Sequence, residues 1–367
     1  MHTTPAKHIL IAPLDWGLGH TTRCIPIIRH LLKKGHQVTL AGNKTQQDFV
    51  RKVFEEISTV HLEGYNIQYS RSKQGFMWSL LRQIPRVLKS IQAEHHWLQD
   101  YTRQHPIDGI ISDNRYGLYH PSIPTIILTH QLQVQSGLGK WIDKRLPFHY
   151  QYLEKFGACW IVDSPEQQHL AGILSHPGKI PGNARYIGLL SQMQPSELPV
   201  PETHLLVLLS GPEPQRTILS DILWSQLEAY KGKVVFIEGS ASIAPRTNVP
   251  GHINYYLQVQ TTQLQALLEA ASLVVCRSGY STLMDLALLG KKALLIPTPG
   301  QTEQEYLGKH LQAAGVFPCF AQKDFSLPKA LETANNFPFH SLHLQAAHQQ
   351  YIPVLDEWLA TLGEDPK

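Results

Sequence analysis

A histidine in a glycine-rich turn is the first place in this sequence where catalytic chemistry is possible. The turn runs from Leu14 to Arg23 and contains Gly17, Gly19 and His20 between an apolar run and a helical pattern. Glycines let a ligand approach the backbone closely, and the free amides of a helix start attract anions. The positive end of the helix dipole disfavours an imidazolium, so we expect His20 to accept a proton as a general base. The alternative is a packing turn with a capping or core histidine.

Two segments in the second half have the same order of strand, turn and helix. The first, Cys276 to Asp285, begins a helix whose amides can bind a diphosphate and places the Asp285 carboxylate where it can hold ribose hydroxyls. The amides belong to Ser278, Gly279 and Tyr280. In the second, Pro297 to Tyr306, the adjacent Gln304 and Glu305 can bond vicinal sugar hydroxyls. The alternatives are a solvated carboxylate and a polar surface turn.

Alternating strand and helix patterns must position these turns. Short β-rich runs alternate with helical runs from His8 to Val162, which is typical of a parallel sheet wrapped by helices. The pattern restarts at Leu205 and continues to Ile296. Ligands of such sheets bind beyond the carboxyl ends of the strands, where all three turns lie. We therefore predict an α/β fold of two doubly wound Rossmann-like domains that face each other across a cleft.

The domain boundaries are predicted from composition. Six prolines lie between Ser164 and Thr203, and few long apolar runs accompany them, which indicates an interdomain connection. We predict an N-terminal domain at 1–165, the connection at 166–203 and a C-terminal domain at 204–348. Residues 349–367 are predicted to form a helix that packs back on the N-terminal domain.

Composition excludes several classes of protein. Of 367 residues, 43% are hydrophobic and 17% are charged, and the net charge of +3 is too small for a dedicated nucleic-acid binder. The four cysteines form no CxxC pair, so neither a zinc site nor a disulfide framework is expected. Walker, HExxH, GxSxG and Asp-x-Asp motifs are absent, and we therefore expect neither a metal nor a cofactor. No signal peptide or membrane span is predicted, which favours the cytoplasm.

The joint occurrence and separation of the three turns resemble the MurG-like UDP-N-acetylglucosamine transferases, whose C-terminal domain is that of glycosyltransferase family 28. The resemblance covers most of both predicted domains. It implies the GT-B fold, a UDP-sugar as donor substrate, and a lipid-linked or cell-envelope acceptor. It also implies metal-independent transfer with inversion. The donor would bind the C-terminal domain and the acceptor the N-terminal domain.

The resemblance also assigns roles to individual residues. The implied donor-binding residues are Ser210, Gly211, Arg216, Arg277, Ser278, Gly279, Tyr280, Asp285, Gln304 and Glu305. The implied acceptor-binding residues are Gly17, Gly19, Asn114, Arg115 and Gln131. The candidates for catalysis are His20, Asp113 and His130.

Three departures from the family pattern leave the donor sugar open. Asp285 is one methylene shorter than the glutamate common in these enzymes, and Glu305 stands where an amide is usual. Pro212 and Pro214 replace glycines in the first turn of the C-terminal domain and remove amides that could bind phosphate. The charge of Arg216 is a candidate replacement for them.

One segment of the N-terminal half is a candidate for membrane contact. The segment 76–98 is a basic amphipathic helix that includes Trp78, and it fits either an anionic bilayer surface or a core-facing helix with a solvated basic face. A bilayer contact would place the protein peripherally on the inner face of the cytoplasmic membrane.

Two other functions are possible alternatives to a transferase. They are a UDP-sugar 2-epimerase and a non-catalytic nucleotide-sugar-binding subunit.

Overall fold

The chain forms two compact units in a computed structural model that describes residues 5–65, 73–133, 148–240 and 243–363, without the side chains of 73–84 and 148. The N-terminal unit comprises Met1–Gln68, Ser79–Ser191 and Ala346–Lys367. The C-terminal unit comprises Tyr69–Trp78 and Gln192–Gln345. Each unit contains one parallel sheet with helices packed on it.

The sheet of the N-terminal unit has the strand order β3-β2-β1-β4-β5-β6-β7. Its strands are β1 (His8–Pro13), β2 (Gln37–Gly42), β3 (Ser58–His61), β4 (Gly109–Asp113), β5 (Thr125–Thr129), β6 (Ala158–Ile161) and β7 (Ala184–Tyr186). The first four helices are α1 (Gly19–Lys33), α2 (Lys44–Val53), α3 (Lys73–Gln104) and α4 (Phe148–Leu153). The central strands are continuous apolar runs because helices cover both of their faces, so their side chains are buried on each side.

Strand β7 lies in the stretch where the sequence predicts an interdomain connection. It pairs in parallel with β6, with Cys159 opposite Ala184, and so extends the sheet of the N-terminal unit. A three-residue strand is too short for a hydrophobic period to show in the sequence. The prolines around it therefore dominate the pattern.

The sheet of the C-terminal unit has the order β10-β9-β8-β11-β12, again with all strands parallel. The strands are β8 (His204–Leu208), β9 (Val234–Ile237), β10 (Ile253–Tyr256), β11 (Ala271–Cys276) and β12 (Ala293–Leu295). The helices are α5 (Gln215–Leu227), α6 (Thr261–Glu269), α7 (Tyr280–Leu288), α8 (Thr302–Ala313) and α9 (Leu327–Asn336). The core joins β8, β9 and β11 to the buried face of α5 through Val207, Phe236, Val275, Leu219 and Leu223.

The strand order reverses direction once in each sheet. In the N-terminal unit the reversal lies between β1 and β4, and in the C-terminal unit it lies between β8 and β11. The loops that leave two such strands diverge to opposite faces of the sheet and open a crevice at its carboxyl edge. The fold therefore predicts one binding crevice in each unit.

The last helix, α10 (Tyr351–Thr361), belongs to the N-terminal unit. The Trp358 ring meets the ring of Trp160 edge-on at 5.9 Å, and Asp356 accepts a hydrogen bond from His30 Nε2 at 2.7 Å. Aromatic packing of this kind anchors a terminal helix more firmly than its exposed ion pairs do. In the described parts of the chain, no helix is both long enough and apolar enough to span a membrane.

Candidate functional site

His20 and Asp113 meet at the crevice of the N-terminal unit. Strands β1 and β4 run side by side with Pro13 opposite Asp113, and the Leu14 N–H donates to the Asp113 carbonyl at 3.0 Å. The turn after β1 therefore begins beside the end of β4. His20 Nδ1 lies 3.1 Å from Asp113 Oδ1. Two residues predicted separately thus form one hydrogen-bonded pair.

The carboxylate determines which nitrogen of His20 carries a proton. Burial alone raises the pKa of Asp113, but Arg23 and His20 outweigh it and lower the pKa to about 2. Asp113 is therefore ionised and can only accept, so Nδ1 is the donor, and in the neutral imidazole the lone pair then lies on Nε2. The His20 side chain is 14% exposed, and such a nitrogen can take a proton from a bound hydroxyl.

Arg23 completes this cluster, although the sequence prediction did not include it. Its Nε donates to Asp113 Oδ2 at 2.6 Å, its Nη2 pairs with Oδ1, and its Nη1 donates to His130 Nδ1 at 2.9 Å. The available signal was its position three residues after His20, which places both on one face of α1. The structure thus brings all three predicted catalytic candidates to one buried arginine.

Asn114 and Gln131 hold the loops after β4 and β5. Asn114 has a left-handed backbone with φ 55°, which asparagine tolerates better than most residues. In the amide orientation that satisfies its neighbours, it donates to Thr129 Oγ1 at 2.9 Å and accepts from Arg23. The Gln131 N–H donates to Thr129 Oγ1 at 3.0 Å. Both residues therefore support the cluster, and their contact with an acceptor stays a prediction.

Arg115 lies below the crevice and is fully buried. Its Nε donates to Glu94 Oε1 at 2.7 Å, and other guanidinium nitrogens contact the carbonyls of Pro13 and Glu63. The second Glu94 oxygen accepts from the Tyr65 hydroxyl at 2.9 Å. These contacts make Arg115 an internal brace of the first turn, and its contact with an acceptor stays a prediction.

The glycine turn itself is open above and anchored below. Gly17 has φ 72°, and apart from its chain neighbours no atom of the described residues lies within 4 Å of the position a Cβ would take, while Gly19 begins α1. The Gln46 amide ties the turn to the protein by donating to the Leu14 carbonyl at 3.0 Å and to Thr21 Oγ1 at 3.1 Å. An open turn fixed from beneath is suited to close contact with a ligand.

In the C-terminal unit, the turns after β8, β11 and β12 come together. A Cβ at Gly211 would lie 3.8 Å from Thr298 Oγ1, and one at Gly279 would lie 4.0 Å from Gln304 Nε2. Gln304 also joins two of the turns, since its Oε1 accepts from the Thr298 N–H at 2.9 Å and its carbonyl accepts from Ser278 Oγ at 2.8 Å. The three turns therefore lie next to one another at the carboxyl edge of the sheet.

Arg277 is a buried cation beneath these turns. Its guanidinium donates to the carbonyl oxygens of Gln215 at 2.7 Å, Ile296 at 3.1 Å and Pro297 at 3.3 Å. Burial lowers the pKa of Arg277 to about 9, so the group remains charged near neutral pH. Carbonyl oxygens carry no net charge, so these three hydrogen bonds do not neutralise the Arg277 cation.

Three further residues near these turns have contacts that bear on donor binding: Arg216, Thr298 and Glu305. Arg216 is buried and paired with Glu213, so its charge is already balanced within the unit. Thr298 Oγ1 is buried without a hydrogen-bond partner in the described structure, so it remains available to a polar group of a ligand. Glu305 Oε1 accepts from the Gly300 N–H at 3.0 Å and so holds the third turn.

The remaining predicted donor residues lie around the same turns. Ser210 follows β8 and is half-buried, Tyr280 is buried at the first position of α7, and Asp285 is half-buried farther along that helix. Gly279 is the N-cap of α7 and, being glycine, brings no capping side chain to the start of the helix. The start of α7 can therefore present its amides and dipole to an anion.

One group in the described residues has the composition of a metal site: Asp163, His169 and His176. The Asp163 oxygens already accept from three backbone amides and from Ser175 Oγ at 2.6 Å. The two imidazoles stack 3.9 Å apart at 13°, so their nitrogens lie in nearly parallel planes and converge poorly on one ion. The group is better suited to hold the loop after β6.

The sequences of both units resemble those of known proteins. Residues 216–350 match the sequence profile of the glycosyltransferase family 28 C-terminal domain. The chain is 29% identical, over 90% of its length and 87% of the relative's length, to a protein of Gloeothece citriformis. That relative is named UDP-N-acetylglucosamine--N-acetylmuramyl-(pentapeptide) pyrophosphoryl-undecaprenol N-acetylglucosamine transferase.

Solved structures of glycosyltransferases share the fold. The calicheamicin glycosyltransferase CalG4 matches with a TM-score of 0.68 at 13% identity and covers 99% of this chain and 100% of its own. MurG of Acinetobacter baumannii matches with a TM-score of 0.55 at 14% identity and covers 98% and 100%. These two proteins have the GT-B architecture, and the predicted fold class is confirmed.

Proposed function

We propose that the chain, a glycosyltransferase of the GT-B fold whose residues 216–350 match the family 28 C-terminal domain, transfers a sugar from a UDP-sugar to an acceptor hydroxyl. The observation that carries this proposal is the charged Arg277 beneath three converging turns of the C-terminal unit. The name of the Gloeothece relative supports a uridine nucleotide as donor.

The donor would bind through its diphosphate, its ribose and its sugar. The amides at the start of α7 and the Arg277 charge attract the diphosphate, and Gly279 lets it approach the backbone. Asp285 accepts hydrogen bonds from the ribose hydroxyls. Gln304 and Glu305 lie beside the turn after β12 and contact the transferred sugar.

His20 would activate the acceptor. Its Nε2 takes the proton of an acceptor hydroxyl, and the oxygen attacks the anomeric carbon while the bond from that carbon to the UDP oxygen breaks. Attack opposite the leaving group inverts the anomeric configuration. The amides of α7 and Arg277 balance the charge that develops on the diphosphate, so this mechanism needs no metal ion.

The acceptor we propose is lipid-linked or part of the cell envelope, and the protein would act peripherally at the inner face of the cytoplasmic membrane. The relative's name includes a pyrophosphoryl-undecaprenol acceptor. Helix α3 contributes Arg86 and Lys89 on exposed positions for contact with anionic lipid. Trp78, predicted as a membrane contact, lies outside the described side chains.

The test is a donor screen with purified protein, radiolabelled nucleotide sugars and membranes. Transfer of label from a UDP-sugar into the lipid fraction supports the proposal. Release of an isomerised donor would instead identify a 2-epimerase, and binding without consumption would identify a non-catalytic subunit. Asp285→Ala and His20→Ala proteins are run in parallel. Loss of label transfer in each variant shows whether the donor side and the acceptor side of the site are needed for the reaction.

A further inference from the structure

We propose that Arg23 is a positioning residue that keeps His20 competent as a base, an inference that rests on the proposed function of His20. Arg23 would do this in two ways. It holds the Asp113 carboxylate in the rotation that accepts the His20 Nδ1 proton, and it offsets the negative charge that would otherwise keep the imidazole protonated.

The positioning follows from the contacts of one carboxylate. Arg23 engages both oxygens of Asp113, and His20 Nδ1 binds the same Oδ1 that Arg23 Nη2 binds. A two-pronged arginine contact fixes the plane of a carboxylate, which one hydrogen bond cannot do. Arg23 is only 2% exposed and Asp113 is fully buried, so both groups are shielded from bulk solvent. The direction in which His20 presents Nε2 therefore depends on Arg23.

A third arm of the guanidinium extends the support to the next strand. Arginine can only donate, so His130 Nδ1 is the acceptor of the 2.9 Å contact with Nη1. Asn114 accepts from the same guanidinium in its satisfied orientation. Arg23 thus connects α1 to the ends of β4 and β5, and it aligns the three loops around His20.

The electrostatic role follows from distance and burial. In the part of the chain that the structure describes, the charged and titratable groups around the Asp113–Arg23 pair are His20 and Cys24 on α1, Tyr116 after β4 and His130 after β5. Because His20 and Arg23 share one carboxylate oxygen, the guanidinium lies within about 6 Å of the imidazole. A buried carboxylate without Arg23 would favour the imidazolium, and a neighbouring cation at this range opposes it. Removing Arg23 should therefore extend protonation of His20 to higher pH.

The experiment compares Arg23→Gln with Arg23→Lys across a pH series. Arg23→Gln should lower kcat/KM about tenfold or more at pH 7 and move the acid limb of the pH–rate profile upward by roughly one unit or more. Arg23→Lys keeps the positive charge but cannot make the two-pronged contact with the Asp113 carboxylate. We expect it to lower kcat while leaving the acid limb near its original position. Both variants should bind UDP normally, since the donor residues lie in the C-terminal unit.

Arg115→Gln is the matched control, because it removes another buried arginine from a carboxylate of the same unit without touching the His20 cluster. It should leave the acid limb in place whatever its effect on the rate. An Arg23→Gln protein that loses the same factor at every pH, as a damaged fold would, overturns the proposal.

A second measurement separates this proposal from the proposed function. Titration of the His20 imidazole followed by NMR needs no turnover, and the ring should remain protonated to higher pH in Arg23→Gln than in the unsubstituted protein. Unchanged titration overturns the role of Arg23 even if sugar transfer is established. Changed titration without any sugar transfer supports Arg23 and rejects the proposed function. If Arg23→Gln fails to fold, Arg23→Lys must still titrate like the unsubstituted protein.

Discussion

Two glycines at opposite ends of α7 should respond in opposite ways to the same substitution. Gly279 caps the N-terminus with φ −72° and ψ 136°, a backbone that alanine adopts readily. Gly290 follows the C-terminus with φ 63°, the left-handed conformation that favours glycine. A Cβ at Gly279 would lie 4.0 Å from Gln304 Nε2, whereas one at Gly290 would meet no atom of the described residues within 4 Å beyond its chain neighbours. We predict that Gly279→Ala weakens donor binding and that Gly290→Ala lowers stability.

The magnitudes follow from the two conformations. At Gly290, forcing alanine into the left-handed region costs about 1–2 kcal/mol, which lowers the Tm of a unit of this size by a few degrees. At Gly279, the reduced entropy of the unfolded chain offsets the poorer cap, so stability changes by roughly zero. A methyl group in the space of the diphosphate should cost about 1–3 kcal/mol of binding, or roughly a tenfold to hundredfold increase in Kd.

Calorimetry with UDP and thermal unfolding should be performed on both variants and on the double variant. The two glycines are separated by the whole of α7, so the effects should add. Normal UDP affinity in Gly279→Ala would refute the assignment of the diphosphate to the start of α7. Equal losses of affinity in both variants would show that strain in the helix, and no direct contact, controls binding.

Four further predictions test other parts of the site. Uridine nucleotides should bind more tightly than adenine or guanine nucleotides in calorimetry, and the reverse order would reject a UDP donor. Asp285→Ala should weaken UDP binding by a few kcal/mol at most while the circular dichroism spectrum is retained; an unchanged Kd would remove Asp285 from the ribose site. His20→Ala should lower turnover about a hundredfold to ten-thousandfold with UDP binding preserved, and full activity would transfer the role of base to Asp113 or His130. Because the folded pKa of Asp113 is depressed to about 2, its contribution to stability is present above pH 4 and is lost as the pH falls toward 2. Urea unfolding should therefore show about 2 kcal/mol of acid-dependent loss that is absent from Asp113→Asn, and identical slopes in both proteins would contradict the ion pair.

The parallel α/β fold could be predicted because buried strands appear in the sequence as short runs of apolar residues. The run from Thr125 to Thr129 is a strand with the predicted bounds, and the turns at Gly17 and Gly279 follow strands as expected. Strand β7 could not be found in this way, because three residues carry no period and Arg185 at its centre is exposed. Local pattern therefore determined the class of fold and the location of its loops.

The partners of the site residues were decided by the tertiary structure. Asp113 lies 90 residues after Arg23 in the chain, and they meet only because β4 pairs with β1. The same non-local pairing turns Arg115 inward toward Glu94. A sequence by itself determines which residues can titrate, donate or tolerate a left-handed backbone. Strand order determines which of them share a crevice. Strand order depends on packing between segments that are far apart in the sequence, and such packing produces no periodic pattern of residues.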